Sequence, residues 1–545
     1  MVYKMVRLMV LLAVAVVSLS SVVHSSAANV RKLNQPLGEE GKVRKKQLSP
    51  DGLSVVYTAN QDNTSRTELY SVSLNDGSII RLNSALSRDV EGFKISPDST
   101  HVVYSAGHTT DQVIQLYSVP IAGGTPIRLT ELMENASIDF TISPNSSHVI
   151  YDVYPYYSQS TLRNLYSVPI LGGSNVQLNT PLVSPQDGID VYTISPDSTH
   201  VVYIRRTVIN AVETVWDLYT IAIAGGTPAL VDNHVGTALI SPDSSQIVYT
   251  RTISEPSKPQ AIYHVALTGG TPSIYQYSDV EGYPDIYIDS TSTYVVFSIF
   301  QLNQVTELYR VPLDGGMTSK INLPLQPNHH VINHRITPDG TRVVYVVGTL
   351  PIDPYSNPKY TDLYSVPIAG GTSIKLNGTL DPNGNGLNYG FRISPDSQYV
   401  VYKGDQETVS DTLYQLYSVR TDGSTPSVKL NGPLLPADSV YTSDVKNDYM
   451  ITPDSKGVLY RAETTNFGLA DLFSVPINGG AAFKLNDTIP HVISDYGERY
   501  QIASNSQDVV FLGVQNPNQN NPTTDLYATK IILPITSVYL PLVQH

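Results

Sequence analysis

Cysteine is absent from the 545 residues, which excludes disulfides, zinc thiolate centres and thiol nucleophiles. Charge is sparse: charged side chains make up 15%, and 34 Lys and Arg stand against 48 Asp and Glu, a formal net charge of −14. Such a chain repels phosphate at long range, so neither nucleic acid nor an anionic lipid surface is an expected partner. After the N-terminus no segment is long and apolar enough to span a bilayer, which needs roughly 20 residues, and no membrane span is expected. Enzyme signatures are missing as well. There is no Gly-x-Ser-x-Gly nucleophile elbow, no His-Glu-x-x-His zinc helix, no P-loop and no dinucleotide fingerprint, and no cofactor is expected. Hydrophobic residues still reach 41%, a globular composition and not a disordered one.

The first residues read as a targeting segment. Lys4 and Arg7 precede an unbroken apolar run from Leu8 to Val17, and Ser26-Ala27-Ala28 supplies small residues for cleavage. Residues 1–28 are therefore assigned as a signal peptide, 29–533 as a repeat array and 534–545 as a C-terminal tail. The expected location is secreted or periplasmic, at the cell envelope.

The array is what dominates the chain. Each unit runs through a short strand ending in Ile, a Ser-Pro-Asp-Ser or Ser-Pro-Asp-Gly turn, Val-Val-Tyr, a variable loop, Leu-Tyr-Ser-Val-Pro, Gly-Gly, and Lys-Leu-Asn. The Asp position falls at Asp51, Asp98, Asn145, Asp197, Asp243, Thr291, Asp339, Asp396, Asp454 and Asn505, ten copies spaced by 46 to 58 residues. That period suits four-stranded blades. Pro presets φ in the first turn, and Gly-Gly supplies the positive φ of the second. A residue recurring in every copy is explained by turn formation, so the repeated Asp is a turn former and not a catalytic series. By the same logic 17 of the 37 tyrosines recur in the second and third strands and belong to the core.

Four-stranded blades bury both faces only by stacking on one another. The fold class is accordingly all-β, a β-propeller of about ten four-stranded blades, in one wide ring or two smaller rings. The chain opens with an orphan outer strand, Val30 to Asn34, and its last copy stops after the third strand at Leu526-Tyr527. These ends are expected to complete one blade together.

The Ser-Pro-Asp-Gly turn, the Val-Val-Tyr strand and Leu-Tyr-Ser-Val with Gly-Gly resemble the WD40-like propeller repeats of TolB-type periplasmic proteins and of the propeller domains in prolyl oligopeptidase relatives. The resemblance implies a propeller over almost the whole mature chain. It does not imply one function, because such propellers serve as docking platforms, gating domains and occasionally enzymes. The separate leading domain of TolB-type proteins and the hydrolase domain of the peptidases have no counterpart here.

Two constellations stand outside the repeat. His329, His330 and His334 cluster before the seventh copy, and propeller-type pectate lyases, which resemble this family, bind a metal through histidines. Three His on one segment read instead as a solvated loop. Asp381-Pro-Asn383-Gly-Asn385-Gly matches half a calcium loop, but its twelfth position is Arg392, so the bidentate ligand is missing. Loop length is more informative. Connections after the second and fourth strands are long and variable, and they carry Tyr154, Tyr156, Tyr157, Tyr355, Tyr360, Tyr389 and Tyr441 as candidate binding residues. The expected function is non-enzymatic binding or scaffolding of a protein or carbohydrate partner through that face. The alternative is a polysaccharide lyase or hydrolase at the ring axis.

Overall fold

The computed structural model describes residues 29–533 except 38–40, 62–65, 108–112, 131–135, 156–161, 210–212, 252–260, 276–279, 302–304, 350–358, 383–385, 408–413, 435–444, 467–468, 487–488, 490, 493–498 and 515–522. The assigned signal peptide and tail lie outside the described residues. The described chain is a ten-bladed β-propeller. Successive antiparallel sheets span 43–81, 92–128, 136–177, 188–232, 235–274, 280–320, 329–375, 387–429 and 450–484, and the tenth combines 491–530 with Arg31–Lys32. They are called blades 1 to 10, with strands a to d in chain order.

Strand b and strand c form the centre of each blade, and both are written in β-branched and aromatic residues. In every blade the aromatic of strand b stacks on that of strand c. All ten pairs, from Tyr57–Tyr70 to Phe511–Tyr527, have ring centroids 5.3–5.8 Å apart. Each contributes about 0.5–1.5 kcal/mol beyond its buried area.

The ring is single. Apolar clusters fill each of the ten junctions between consecutive blades. The tenth packs Val510, Leu512 and Leu526 of blade 10 against Val43, Val55 and Tyr57 of blade 1. The expected joining of the chain ends is also present. Arg31 and Lys32 pair with Ala528 and Tyr527, and Asn34 Oδ1 accepts the Leu526 N–H at 2.7 Å. Asn179, Asn377 and Asn486 hold strand c of their own blades in the same way, which explains the recurring Leu-Asn at the end of strand d.

Strands a lie innermost, since they touch from blade to blade: Gln47 Oε1 accepts from the Ile95 N–H and Gln501 Oε1 from the Leu48 N–H. Each a–b connection is five residues and each c–d connection five to seven, whereas b–c runs from two to ten and d–a from two to twenty. The first two sets share one face of the ring and the others the opposite face. In the c–d turns Gly is required by close approach, as at Gly225, where a Cβ would meet Val176 Cγ1 at 2.5 Å.

The a–b turn explains the alternation of Ser and Gly at its last position. This residue has φ near +60° in every blade, a conformation that strains an L side chain by about 1 kcal/mol. Ser is nevertheless used eight times because its hydroxyl accepts the N–H of the preceding blade's turn residue, for example Asp98 N–H to Ser146 Oγ at 3.0 Å. Gly52 and Gly340 break this necklace, and Gly52 is needed where a Cβ would lie 2.9 Å from Ser504 Oγ. The Asp before Ser braces its own turn. Burial pushes the Asp98 carboxyl up, but donors from Ser96, Thr100 and Ser146 outweigh it and hold the group below its ordinary range.

This trade-off is testable at Ser146. Ser146→Ala keeps the strain and loses the inter-blade bond, so urea unfolding should show a loss of about 1–2 kcal/mol. Ser146→Gly loses the bond and relieves the strain, and its stability should lie within about 0.5 kcal/mol of the parent. Equal losses in both variants would refute the account.

Candidate functional site

The candidate binding tyrosines do not all lie in the connections of the variable face. Tyr154, Tyr360 and Tyr389 stand in strands, His148–Pro155, Lys359–Pro367 and Leu387–Ile393 respectively, and not in loops as expected. Tyr154 and Tyr360 are there because paired backbone continues past the repeat core, while Tyr389 falls in the register shift between Leu387 and Phe391. Tyr360 is half-buried against the blade 7–8 core and pairs with Leu387, joining those two blades into one eight-stranded sheet. Tyr156, Tyr157, Tyr355 and Tyr441 lie outside the described residues.

The histidine cluster is corrected more sharply. His329 to Ile336 is strand a of blade 7 and not a solvated loop. His330 accepts the Thr306 N–H at 3.2 Å, while His329 Nδ1 lies 3.1 Å from the Pro327 carbonyl oxygen. His334 is fully buried, edge-on to Tyr287 at 4.9 Å. It holds the position that Phe93, Phe140 and Phe391 hold in other blades, each of them opposite the strand-b aromatic. Its Nδ1 lies 3.9 Å from Asp285 Oδ2, beyond hydrogen-bond reach, and burial, opposed by the Val296 backbone, pushes its pKa down to about 3. The three rings serve separate surroundings. Among the described residues no three His, Asp or Glu come together as a metal site. In the calcium-like loop Asn383 and Asn385 lie outside the described residues, and Asp381 donates its N–H to the Asp405 carbonyl. Arg392, the mismatched twelfth residue, stacks over Tyr449 at 5.7 Å.

What the structure brings together lies on the inner wall. Among the described residues the clefts there include three lined by charged side chains. One, of about 680 Å³, sets Arg44, Lys45, Arg66 and Arg88 around Asp89 and Glu91 between blades 1 and 2. Burial raises Glu91 against the pull of Arg88 and Lys45. A second, of about 330 Å³, carries Arg335 and Arg392 across blades 7 to 9. The third, of about 480 Å³, spans blades 2 to 4 and combines Lys94, Asp139, Arg163 and Asp190 with Phe140 and Tyr192.

Behind the third cleft lies a carboxyl pair. Asp139 on strand a is directly opposite Asp152 on strand b. Asp152 is fully buried, pairs with Arg163 and leaves Oδ1 without a partner. Its proton affinity is raised, chiefly by burial, with Arg163 opposing and Asp139 adding to the shift. Tyr192 packs alongside, its phenol pushed up by burial and by both carboxylates. Sequence reasoning missed this group, although a signal existed. The residue after the strand-b aromatic is Thr58, Ser105, Ile204, Thr250, Ser298, Val346 or Leu512 in seven blades, but Asp152, Lys403 and Arg461 in the others. A buried charge where the repeat accepts Thr or Val is costly, so these are the positions at which the pattern is broken for a reason.

No family model matches the chain, and no curated protein sequence matches it. Among solved structures it is similar to a eukaryotic initiation factor, at 10% identity and TM-score 0.47, covering 76% of this chain and 93% of that one. Porphyromonas gingivalis dipeptidyl peptidase 4 matches at 10% identity and TM-score 0.43, covering 66% of this chain and 57% of its own. An oligogalacturonate lyase in complex with manganese matches at 12% identity and TM-score 0.35, covering 93% and 94%. Likeness at this level carries no argument about function, which rests on the residues themselves.

The histidine reading yields a pH test. A folded-state pKa near 3 lies far below the ordinary 6.5, so the unfolded chain binds the His334 proton first and stability falls as pH drops below about 6.5. His334→Phe restores the aromatic of the repeat and removes this term. Thermal melts at pH 7 and pH 5 should show a smaller acid loss in the variant than in the parent. Loss of a stoichiometric metal from purified His334→Phe would overturn the core assignment.

Proposed function

We propose that this chain is an exported recognition propeller that binds a polysaccharide or protein partner through the face formed by its b–c and d–a connections and the adjoining inner wall. The observation that carries this reading is the contrast between faces. One is built of ten five-residue turns and their equally short c–d companions, while the other varies from two to twenty residues per connection. Short, repeated turns offer little shape to a partner, and binding residues concentrate on irregular segments held by a rigid scaffold. Export rests on the N-terminal pattern of Lys4, Arg7 and the apolar run. The test is a binding assay against envelope glycans and proteins, with Tyr156, Tyr355 and Tyr389 changed singly to Ala. At least one variant should weaken binding by more than about 1 kcal/mol, while Ala122→Lys and Asn478→Lys on the turn face leave it unchanged. Sensitivity to the turn-face changes alone would place the working surface on the wrong side.

A second reading, polysaccharide cleavage near the ring axis, is favoured by the Asp139–Asp152 pair. General acid–base chemistry uses two carboxyls in different surroundings, and one of this pair faces a cleft while the other is buried beside it, its proton affinity raised by that burial. Release of reducing or unsaturated ends from a panel of plant and bacterial polysaccharides would support it, provided Asp139→Asn and Asp152→Asn each lower the rate at least 100-fold without loss of fold. Absence of any cleavage, or cleavage indifferent to both changes, removes this reading.

A further inference from the structure

The chain contains one tryptophan, and it is not in the core. Trp216 lies on strand c of blade 4, 40% exposed, at a position held by Thr67, Thr306, Thr361 and Thr524 in blades 1, 6, 7 and 10. Its Nε1–H donates to Asp190 Oδ2 at 3.0 Å, and Arg206 Nε lies 3.2 Å from Asp190 Oδ1. Three strands of one blade thus meet in a single constellation. Asp190 reaches it because strand a shifts register between Ile189 and Val191, a bulge that re-aims the extra residue. Neighbouring Val191 is 58% exposed. With its only donor already satisfied, the indole presents solvent with an apolar ring face of fixed orientation. Asp190 also lines the 480 Å³ cleft of the inner wall, a volume within the range of about 300–1,000 Å³ typical of small-ligand sites. Ring face and cleft therefore share one carboxylate.

We propose that Trp216 and Asp190 form a binding site for a neutral pyranose chain, one sugar lying on the indole and its neighbour entering the cleft. The apolar C–H face of a pyranose matches the ring, and a carboxylate oriented by the indole hydrogen bond and the Arg206 ion pair still has lone pairs for sugar hydroxyls. Charge selects the neutral class. The cleft's cations are already engaged, Lys94 Nζ on the Phe140 carbonyl at 2.5 Å and Arg163 on Asp152, while Asp139 and Asp190 face the opening. The chain's net charge of −14 adds to the repulsion of a uronate polymer. This inference rests on the recognition reading above and names its ligand class.

The single tryptophan makes the test direct. Intrinsic fluorescence of the intact protein, excited where tyrosine does not absorb, is titrated with cellohexaose, xylohexaose, mannohexaose and maltohexaose, with trigalacturonate as the anionic probe. A saturable change with at least one neutral oligosaccharide and none with trigalacturonate is expected. Calorimetry should then show affinity reduced more than 20-fold in Trp216→Ala and less than 5-fold in Trp216→Phe, which keeps a ring face, both variants melting within a few degrees of the parent. Binding of trigalacturonate alone overturns the neutral class. A neutral sugar bound without change in fluorescence, and equally well by Trp216→Ala, overturns this site and leaves the recognition face standing. Silence towards all five probes overturns the inference, and the tyrosine variants then judge the wider reading against a protein partner.

Discussion

Every blade in this molecule has two apolar faces, and neither can be left in water. Val55 and Tyr57 on one side of a strand and Val56 on the other belong to different junction clusters, so blade 1 is stable only between two neighbours. An open stack would leave its end faces exposed, and closing the circle removes them. Closure depends on a few residues, the Arg31–Lys32 strand and the Asn34 clamp on Leu526. Chain ends separated by almost the whole sequence are thereby tied into one sheet, and the ring becomes a single cooperative structure.

Closure also divides the surface into parts under different constraint. The a–b turns are locked to one another by the serine necklace, and each has a set length because the inter-blade hydrogen bond reaches only one geometry. Among the described residues the connections on the opposite face are joined by individual contacts, such as the Ser87 N–H to the Gly107 carbonyl, and not by one bond repeated from blade to blade, and their lengths differ. The inner wall is intermediate. Its strands must pair with strand b, yet the residue after the strand-b aromatic sits near the end of the apolar layer. Asp152 with Arg163 and Arg461 with Asp448 show that this level tolerates a charge when a partner is at hand. Chemical individuality therefore concentrates where the repeat gives way.

Much of this is legible in the sequence. The turn strings, the paired aromatics and the orphan outer strand are local signals, each tied to one dihedral or one contact, and they foretell blades, their number and the joining of the ends. Whether ten blades make one ring or two was not legible, because the angle between blades is set by interlocking side chains such as Ile80 beneath Gly123 and not by any string. His334 reads as part of a solvated loop because polar histidines do not look like a buried strand, whereas aligning the copies places it on the Phe93 position. Trp216 and Asp190 were missed for a different reason. Their meeting requires a bulge, and a bulge is invisible to an alternating pattern.

Closing the ring removes exposed faces but not exposed edges, and the two remaining edges are managed differently. The outer strands are only two to four residues long, and seven of the ten carry Lys or Arg, from Lys32 and Arg81 to Lys484, which blunts them against pairing with another chain. The inner strands have four to nine residues in blades 1 to 8 and face one another, so their free N–H groups need partners. Gln47 and Gln501 supply two of these from the position just before the last residue of strand a. That same position is Lys94, Arg335 and Arg392 in blades 2, 7 and 8, where each cation lies over an aromatic ring, of Phe140, Tyr287 and Tyr449 respectively. A site used for edge capping in some blades thus carries a cation at the clefts of others. Lys94, like Gln47, reaches the next blade's strand a, at the Phe140 carbonyl, so this position ties neighbouring blades together whether it carries an amide or a cation.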